Sequence, residues 1–408
     1  MYTTKSTRLT TTNDINVVWK PLPGSQSLAM SCPYQRILLA GGRGTGKSLE
    51  NNELVLTGTG WKKAGDVTYD DLLVAGDGSL ARILGVYPQR DIELYRVDFH
   101  EGGSVVACKD HRWKAYGNRN GHKTGWQTKT TEDLAGLITR DGWSVPFMGG
   151  PLQSGEPYER YCPYTIGQIL GDGTTKSAYV TVYTDPETDQ DTIDHFRSLP
   201  GWHVLEKSYG TSPCWRSYAK RETSEYLKHL LGEHTGADKR IPQQLLDADP
   251  ASRLAVLQGL MDSDGTIEAN GKMRFNSISS HLAHGVAYLV KSLGGWASVT
   301  EEPARVGARR LPGYTGEYAA DTLYRTTLRH NNQFNPFRLS RKRDRVREQK
   351  QNLKRGIKSI EHIGVGDGVC FAVAHPDHTY VCGDWVVTHN TDVQLMRFRA
   401  GVGKGYGP

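Results

Sequence analysis

The chain has 408 residues, more than the roughly 100–200 of a typical single domain, so two or three domains are expected. Hydrophobic residues make up 37% and charged residues 23%, which excludes wholesale disorder, and no apolar run approaches the roughly 18–20 residues that span a bilayer. The net charge is +6, and it is uneven: between Arg338 and Lys358 lie ten Lys/Arg against only Asp344 and Glu348. The 46 glycines exceed the usual share of about 7% and favour short strands and tight turns. Six cysteines without a Cys-x-x-Cys pair make no disulfide framework, and the polar N-terminus lacks the apolar core of a secretory leader. A cytoplasmic protein without a membrane partner is the expectation.

The first motif in chain order is Ile-Leu-Leu-Ala-Gly41-Gly-Arg-Gly-Thr-Gly46-Lys47-Ser48, an apolar strand running into a phosphate-binding P-loop pattern. Such a loop cradles phosphates with backbone N–H groups, and it needs a helix directly behind it to complete the anion site. Leu49–Gly60 alternates and reaches Gly58 and Gly60 within a dozen residues, so it reads as strand and turn. The missing helix is at the other end of the chain. Thr391–Ala400 has no Gly or Pro, and Val393, Leu395, Met396 and Phe398 share one helical side. Joining Lys47 to Thr391 restores Gly-Arg-Gly-Thr-Gly-Lys-Thr with a helix behind it, so Ser48–Asn390, 343 residues, interrupts a nucleotide-binding loop. Gly41, Gly46, Lys47 and Thr391 would bind ATP and Mg²⁺ only in the joined form.

Further along, Leu94–His100 and Ser104–Ala107 carry strand signals between Gly-rich turns. Three segments then end in Asp-Gly: Leu134–Gly142, Thr165–Gly173 and Leu257–Gly265. The second and third keep a glycine mid-helix, at Gly167 and Gly259, and their acids Asp172 and Asp264 are 92 residues apart, room for a half-domain. Asp141 is only 31 residues before Asp172 and runs into Gly142–Pro146, which reads as a strand leaving the first domain, so Asp141 is taken as a decoy. Arg216, Lys220, Arg221, Lys272 and Arg274 are expected on strands, and the basic stretch 338–358 reads first as a solvated, helical surface and second as a phosphate-contacting patch.

The boundaries of the insert carry the chemistry of self-excision. Ser48 and Thr391 are hydroxyl nucleophiles, Asn390 can cyclise onto its own carbonyl, and His389 can donate a proton or support an oxyanion. Over Ser48–Asn390 the chain resembles an intein. Gly103–His111 is similar to that family's second block, with Cys108 where the usual pattern has Thr. The resemblance gives His111 the task of straining and protonating the first scissile amide. Val369–Asn390 is similar to the two C-terminal blocks, with Cys370 and His378 at block positions, His389 penultimate and Asn390 last.

The helices ending in Asp172 and Asp264 resemble the LAGLIDADG homing endonucleases. In that family two such helices pack through glycines and each presents one acid to divalent metal and the DNA cut, which makes Asp172 and Asp264 the expected metal ligands. Lys239, in a lysine block before the second helix, is the implied basic residue. The resemblance implies a multidomain chain: an all-β horseshoe Hint splicing domain in two parts, 48–155 and 351–390, around an α+β pseudo-twofold endonuclease, 156–350. Mg²⁺ would serve the nuclease, nothing would be needed for splicing, double-stranded DNA of the uninterrupted host gene would be the partner, and the chain would act as a monomer. The flanks, 1–47 and 391–408, resemble the ATPase of a phage terminase large subunit, which places the protein in a phage-infected cell. The joined flanks total 65 residues, too few for such an ATPase, so host sequence is expected to continue beyond them.

Two other readings compete. One is an unspliced P-loop ATPase in which Ser48 holds Mg²⁺, and the lack of a helix signal after Ser48 speaks against it. The other is a Hedgehog-like domain that cleaves without ligating, and Asn390-Thr391 at the end favours splicing over it.

Overall fold

The computed structural model describes residues 47–119, 122–138, 142–206, 214–232, 236–303, 321–349 and 353–389. Gly41, Gly46, Asp141, Asn390, Thr391 and the helix expected at 391–400 lie outside the described residues.

The first part is built of β1 (Leu49–Glu50), β2 (Leu54–Thr57), β3 (Gly60–Lys63), β4 (Leu72–Val74), β5 (Leu80–Phe99), β6 (Ser104–Cys108), β7 (Arg112–Arg119), β8 (His122–Thr130), α1 (Thr131–Leu137) and β9 (Gly142–Pro146). The chain enters a strand one residue after Ser48, where a P-loop would need a helix. Alternation explains β5: its first half buries every second residue, Ala81 and Ile83 included, as a strand with one face on a core must. Helix α1 is started by a capping box, in which the Thr130 hydroxyl accepts from the Asp133 N–H and the Asp133 carboxylate accepts from the Thr130 N–H.

The middle part holds α2 (Pro163–Asp172), β10 (Gly173–Thr174), β11 (Thr181–Thr184), α3 (Gln190–Ser198), β12 (Trp202–Leu205), β13 (Trp215–Ala219), α4 (Arg221–Leu231) and α5 (Gln243–Leu246). Then come α6 (Pro250–Ser263), β14 (Gly265–Ile267), β15 (Met273–Ser277), α7 (Ser280–Ser292), β16 (Trp296–Glu302), β17 (Leu323–Arg329) and α8 (Ser340–Arg343). Its two four-stranded antiparallel sheets have the same order, β10-β11-β13-β12 and β14-β15-β17-β16, each entered directly from the end of a helix. That repetition is the pseudo-twofold relation expected for α2 and α6.

The chain then returns through β18 (Lys354–Val373), β19 (Thr379–Cys382) and β20 (Val386–His389) to the first part. All twelve strands of the outer parts join in one sheet, in which β18 pairs antiparallel with β5 along most of its length through several bulges. Strand β1 is held between β6 and β18, with Leu49 opposite both Ala107 and Val369. The first residues of the insert are thus clamped between its early and late strands. Leu49, Val97, Trp113, Phe371 and Tyr380 form the core beneath them.

The bridges that join the middle part to the outer parts include two made by cationic side chains. Arg253 on α6 is wholly buried and donates to the carbonyls of Ala248 (2.9 Å), Ser292 (3.2 Å) and Leu152. Such a charge is tolerated inside only because its donors are so fully occupied. The second bridge runs through Lys291 of α7, which donates to Asp384 at 2.6 Å.

Candidate functional site

Residues from the early and the late strands of the outer sheet converge around Ser48. The Ser48 carbonyl accepts from the Cys108 N–H at 2.9 Å, and the Ser48 N–H donates to Cys108 Sγ at 3.3 Å. Ser48 is buried, and its Oγ has no hydrogen-bond partner among the described residues. A hydroxyl so placed is not serving as a cap or a turn. Burial pushes the Cys108 thiol up to about 11, so it is neutral and acts toward Ser48 as a hydrogen-bond acceptor. Cys370 is buried one residue beyond Val369, the strand partner of Leu49, and its influence reaches Cys108.

His111 follows β6 at the start of β7 and is fully buried, with its ring edge-on to Trp113. Burial, helped by the nearby charges of Lys47 and His389, lowers its pKa to about 3, while the Lys47 and Ser48 backbone pushes the other way. The imidazole is therefore neutral and lies against the peptide between Lys47 and Ser48. Its Nε2 bonds the Thr388 hydroxyl, and its Nδ1 has no hydrogen-bond partner among the described residues. A neutral ring fixed at one nitrogen can hold a proton in place for a departing amide nitrogen at the other. Thr388 is fully buried on β20, and His389 is half-buried opposite Thr379. Residues 48, 108, 111, 388 and 389 so form one cluster from both ends of the insert. Thr388 was not anticipated from sequence, since nothing in a Val-Val-Thr-His run marks which hydroxyl meets His111. His378 is exposed just before β19, with φ of 50°, outside the buried cluster.

The second site lies where α2 and α6 meet. A Cβ on Gly167 would sit 2.4 Å from the Val256 carbonyl oxygen and 2.8 Å from the Gly259 Cα, and one on Gly259 would sit 2.2 Å from the Tyr164 oxygen. Only glycine lets the two backbones touch, and the touching helices bring their C-terminal acids together. Asp172 is at the solvent-open mouth of the pair, yet the protein around it and then the facing Asp264 raise its pKa to about 6. Burial also raises Asp264, against the opposing effect of Lys239 and Lys342.

Each helix end is capped by a lysine. Lys239 donates to the carbonyls of Gly171 (2.7 Å) and Gly173 (2.9 Å). Lys342 donates to Met261 (3.1 Å), Asp262 (2.6 Å), Ser263 (3.3 Å) and Gly265 (2.7 Å). Cations there neutralise the negative helix ends and moderate the repulsion of the acids. Lys342 was not singled out from sequence, because it was hidden in the basic run. Its burial lowers its pKa to about 8. Asp262, also buried, accepts from Tyr164 Oη at 2.8 Å and from the Arg338 and Leu339 N–H groups, anchoring the segment that delivers Lys342.

The basic residues sort into two groups. Arg216 on β13 and Arg274 on β15 sit on strands as expected, Arg274 paired with Glu268. Lys220 and Arg221 instead begin α4, with Arg221 paired to Glu225, and Lys272 lies in the turn before β15. The 338–358 run is largely committed to the protein itself: Arg338 stacks on Tyr164, Arg341 pairs with Asp189, Lys354 sits 3.3 Å from the Tyr116 ring centre and Arg355 pairs with Asp384.

No group of three or more His, Cys, Asp or Glu suited to a metal occurs among the described residues. The acid pair still fits a divalent cation, since burial raises both carboxylates, and Asp264 raises Asp172 further, a cost that a dication relieves, and DNA phosphates can supply further oxygens. No helix among the described residues is long and apolar enough to cross a membrane.

Residues 251–338 match the family described as the LAGLIDADG-like domain. The chain is 28% identical over 282 residues to the replicative DNA helicase DnaB of Mycobacterium intracellulare, covering 63% of this chain and 44% of that protein. It is 24% identical over 262 residues to the ribonucleoside-diphosphate reductase NrdEB subunit alpha of Bacillus subtilis, covering 57% and 23%. The chain thus spans less than half the length of these curated relatives. Among solved structures it is similar to the MchDnaB-1 intein, at 11% identity over 84% of this chain and 99% of that one, with a TM-score of 0.26. It is also similar to I-DmoI in complex with DNA and calcium, at 12% identity over 41% and 82%, with a TM-score of 0.26.

Residues 251–338 are a LAGLIDADG-like domain, and α2 with its sheet repeats the same unit ahead of it. The outer strands that precede and follow this double unit in sequence share one sheet, so the LAGLIDADG-like domain is set within a second, all-β domain.

Proposed function

We propose that Ser48–Asn390 excises itself and joins Lys47 to Thr391, and that the embedded nuclease cuts the DNA of the uninterrupted gene. The convergence of Ser48, Cys108, His111, Thr388 and His389 in one buried cluster carries the first half of this reading. Ser48 Oγ attacks the Lys47 carbonyl, an ester forms, and the Ser48 nitrogen leaves with a proton held at His111. Thr391 Oγ then takes the acyl group, freeing Ser48. The Asn390 side-chain nitrogen attacks its own carbonyl and closes a succinimide, which releases the joined flanks. The ester at Thr391 finally passes to its freed amine, giving an ordinary Lys47–Thr391 peptide bond. His389 assists the cyclisation. Cys108 positions Ser48, and Cys370 lies buried beside that strand. His378 has no step in this scheme.

Supporting the same reading, more than half of this chain matches part of a helicase and more than half matches part of a reductase subunit, proteins of different chemistry, and each match spans less than half of the relative. That is how an insert, rather than a host domain, distributes. The strand at β1 leaves Ser48 without the helix that an unspliced P-loop ATPase would require. In our reading, residues 48–155 and 351–390 form the splicing domain and 156–350 the nuclease, acting as a monomer. The flanks 1–47 and 391–408 belong to a terminase-like phage ATPase whose loop, with Gly41, Gly46, Lys47 and Thr391, binds ATP and Mg²⁺ after joining.

For the nuclease, Asp172 and Asp264 would hold a divalent cation, Mg²⁺ in the cell, against the phosphates of double-stranded DNA. The ion would supply charge neutralisation and activation of water. Lys239 and Lys342 hold the helix ends in place, and Arg216 and Arg274 on the two sheets face the duplex.

Ser48→Ala combined with Asn390→Ala tests the splicing half. Without the attacking oxygen and the cyclising amide, the 408-residue chain should persist intact. Product masses from that double variant would overturn the scheme.

A further inference from the structure

The loop between β19 and β20 is Gly383-Asp384-Trp385, three residues closing a tight hairpin in which Cys382 pairs with Val386. Asp384 and Trp385 have φ of 46° and 69°, consecutive non-glycine residues in the left-handed region. Residues with side chains stay there only where their surroundings over-determine them. The surroundings come from both parts of the molecule. Arg355 of the sheet pairs with the Asp384 carboxylate at 2.6 Å and donates to its carbonyl at 2.8 Å. Lys291 of α7, from the nuclease part, pairs with the same carboxylate at 2.6 Å. The Trp385 ring meets Trp61 of β3 edge-on at 5.4 Å on one side and Tyr288 of α7 at 5.5 Å on the other.

The loop sets the register of the strand that follows it. In a hairpin a one-residue slip turns every side chain to the opposite face. Here a slip would take Thr388 away from His111 and move His389, the residue before Asn390. The unusual loop conformation is therefore linked through four residues of strand to the C-terminal splice junction.

We propose that helix α7 of the nuclease is a positioning element for the C-terminal splicing step, with Lys291 and Tyr288 as the positioning residues that hold the Asp384-Trp385 loop. This inference rests on the splicing reading above. It means that the nuclease is not a passive passenger: its fold helps to place His389, the residue before Asn390, so loss of the nuclease fold penalises release from the host protein.

The test uses the full chain and follows both junctions by mass spectrometry. Lys291→Met should slow rupture after Asn390 roughly tenfold, so that the branched ester intermediate accumulates, while the hydroxylamine-sensitive ester at Ser48 forms at the parental rate. Tyr288→Ala should act in the same sense, and Lys291→Arg should restore most of the rate. A purely structural loss would slow both junctions together and would not be rescued by arginine, and that outcome overturns the proposal, as does an unchanged rate in both Lys291→Met and Tyr288→Ala. A parent chain that cleaves at neither junction would instead bring down the splicing reading, and the positioning role with it.

Discussion

Replacing Gly259 by alanine separates the two activities by a single methyl group. The added Cβ would lie 2.2 Å from the Tyr164 carbonyl oxygen, 2.8 Å from the Gly167 Cα and 2.9 Å from the Gln168 nitrogen. All three are backbone atoms of α2, so no side chain can rotate away. Carbon contacts need about 3.5 Å, so α2 and α6 must part by roughly 1 Å. Overpacking of this kind costs about 1–3 kcal/mol, and the better helix propensity of alanine returns up to about 1 kcal/mol. The net loss of about 1–2 kcal/mol corresponds to a fall in melting temperature of roughly 2–8 °C. Activity suffers far more, since Asp172 and Asp264 are at the ends of the displaced helices and a 1 Å misplacement of catalytic groups costs on the order of 100-fold. Cleavage of a duplex spanning the joined Lys47/Thr391 codons, measured beside calorimetry and precursor conversion, reads all three quantities. The expected result is a modest loss of stability, near-complete loss of cutting and unchanged splicing. Cutting within about twofold of the parent, with the melting temperature unmoved, would refute the glycine-contact argument.

Asp172→Asn or Asp264→Asn should abolish metal-dependent cutting while splicing proceeds, as read by plasmid nicking and by product masses from the same preparation. Cutting should also decline with acid: the Asp172 pKa is raised to about 6, so below that pH the carboxylate holds a proton and cannot receive a cation. Metal titrations at several pH values should therefore show weakening affinity as pH falls through 6, and an affinity flat from pH 5 to 8 would contradict the assignment. At the other site, the folded chain keeps His111 neutral down to about pH 3, whereas the unfolded chain protonates it near 6.5. Stability is therefore lost as pH falls from 6.5 toward 3, and His111→Gln should flatten that dependence in urea titrations.

Much of this architecture is legible in the sequence where a single residue type does irreplaceable work. Gly167 and Gly259 mark the helix contact because no other residue permits it, and Asp-Gly at each helix end marks the acids. The strand after Ser48 was legible from alternation and early glycines. The residues that escaped detection act through distant partners. Thr388 matters because β20 carries it to His111 across 277 positions of sequence, and no local pattern encodes that pairing. Lys342 caps α6, yet stands among nine other basic residues with nothing to distinguish it until the fold buries it. Lys220 and Arg221 carry a strand signal in the sequence, but the chain turns into α4 at that point, and they stand at the start of a helix instead. His378, at a block position in the sequence match, is exposed ahead of β19 and lies apart from the buried cluster.

The central claim is that the chain remakes its own backbone, and intact-mass analysis of freshly expressed protein tests it directly. The account predicts two products, a free 343-residue segment running from Ser48 to a C-terminal succinimide or Asn390, and a 65-residue species with Lys47 bonded to Thr391. A stable 408-residue chain, or cleaved flanks that never join, would contradict it.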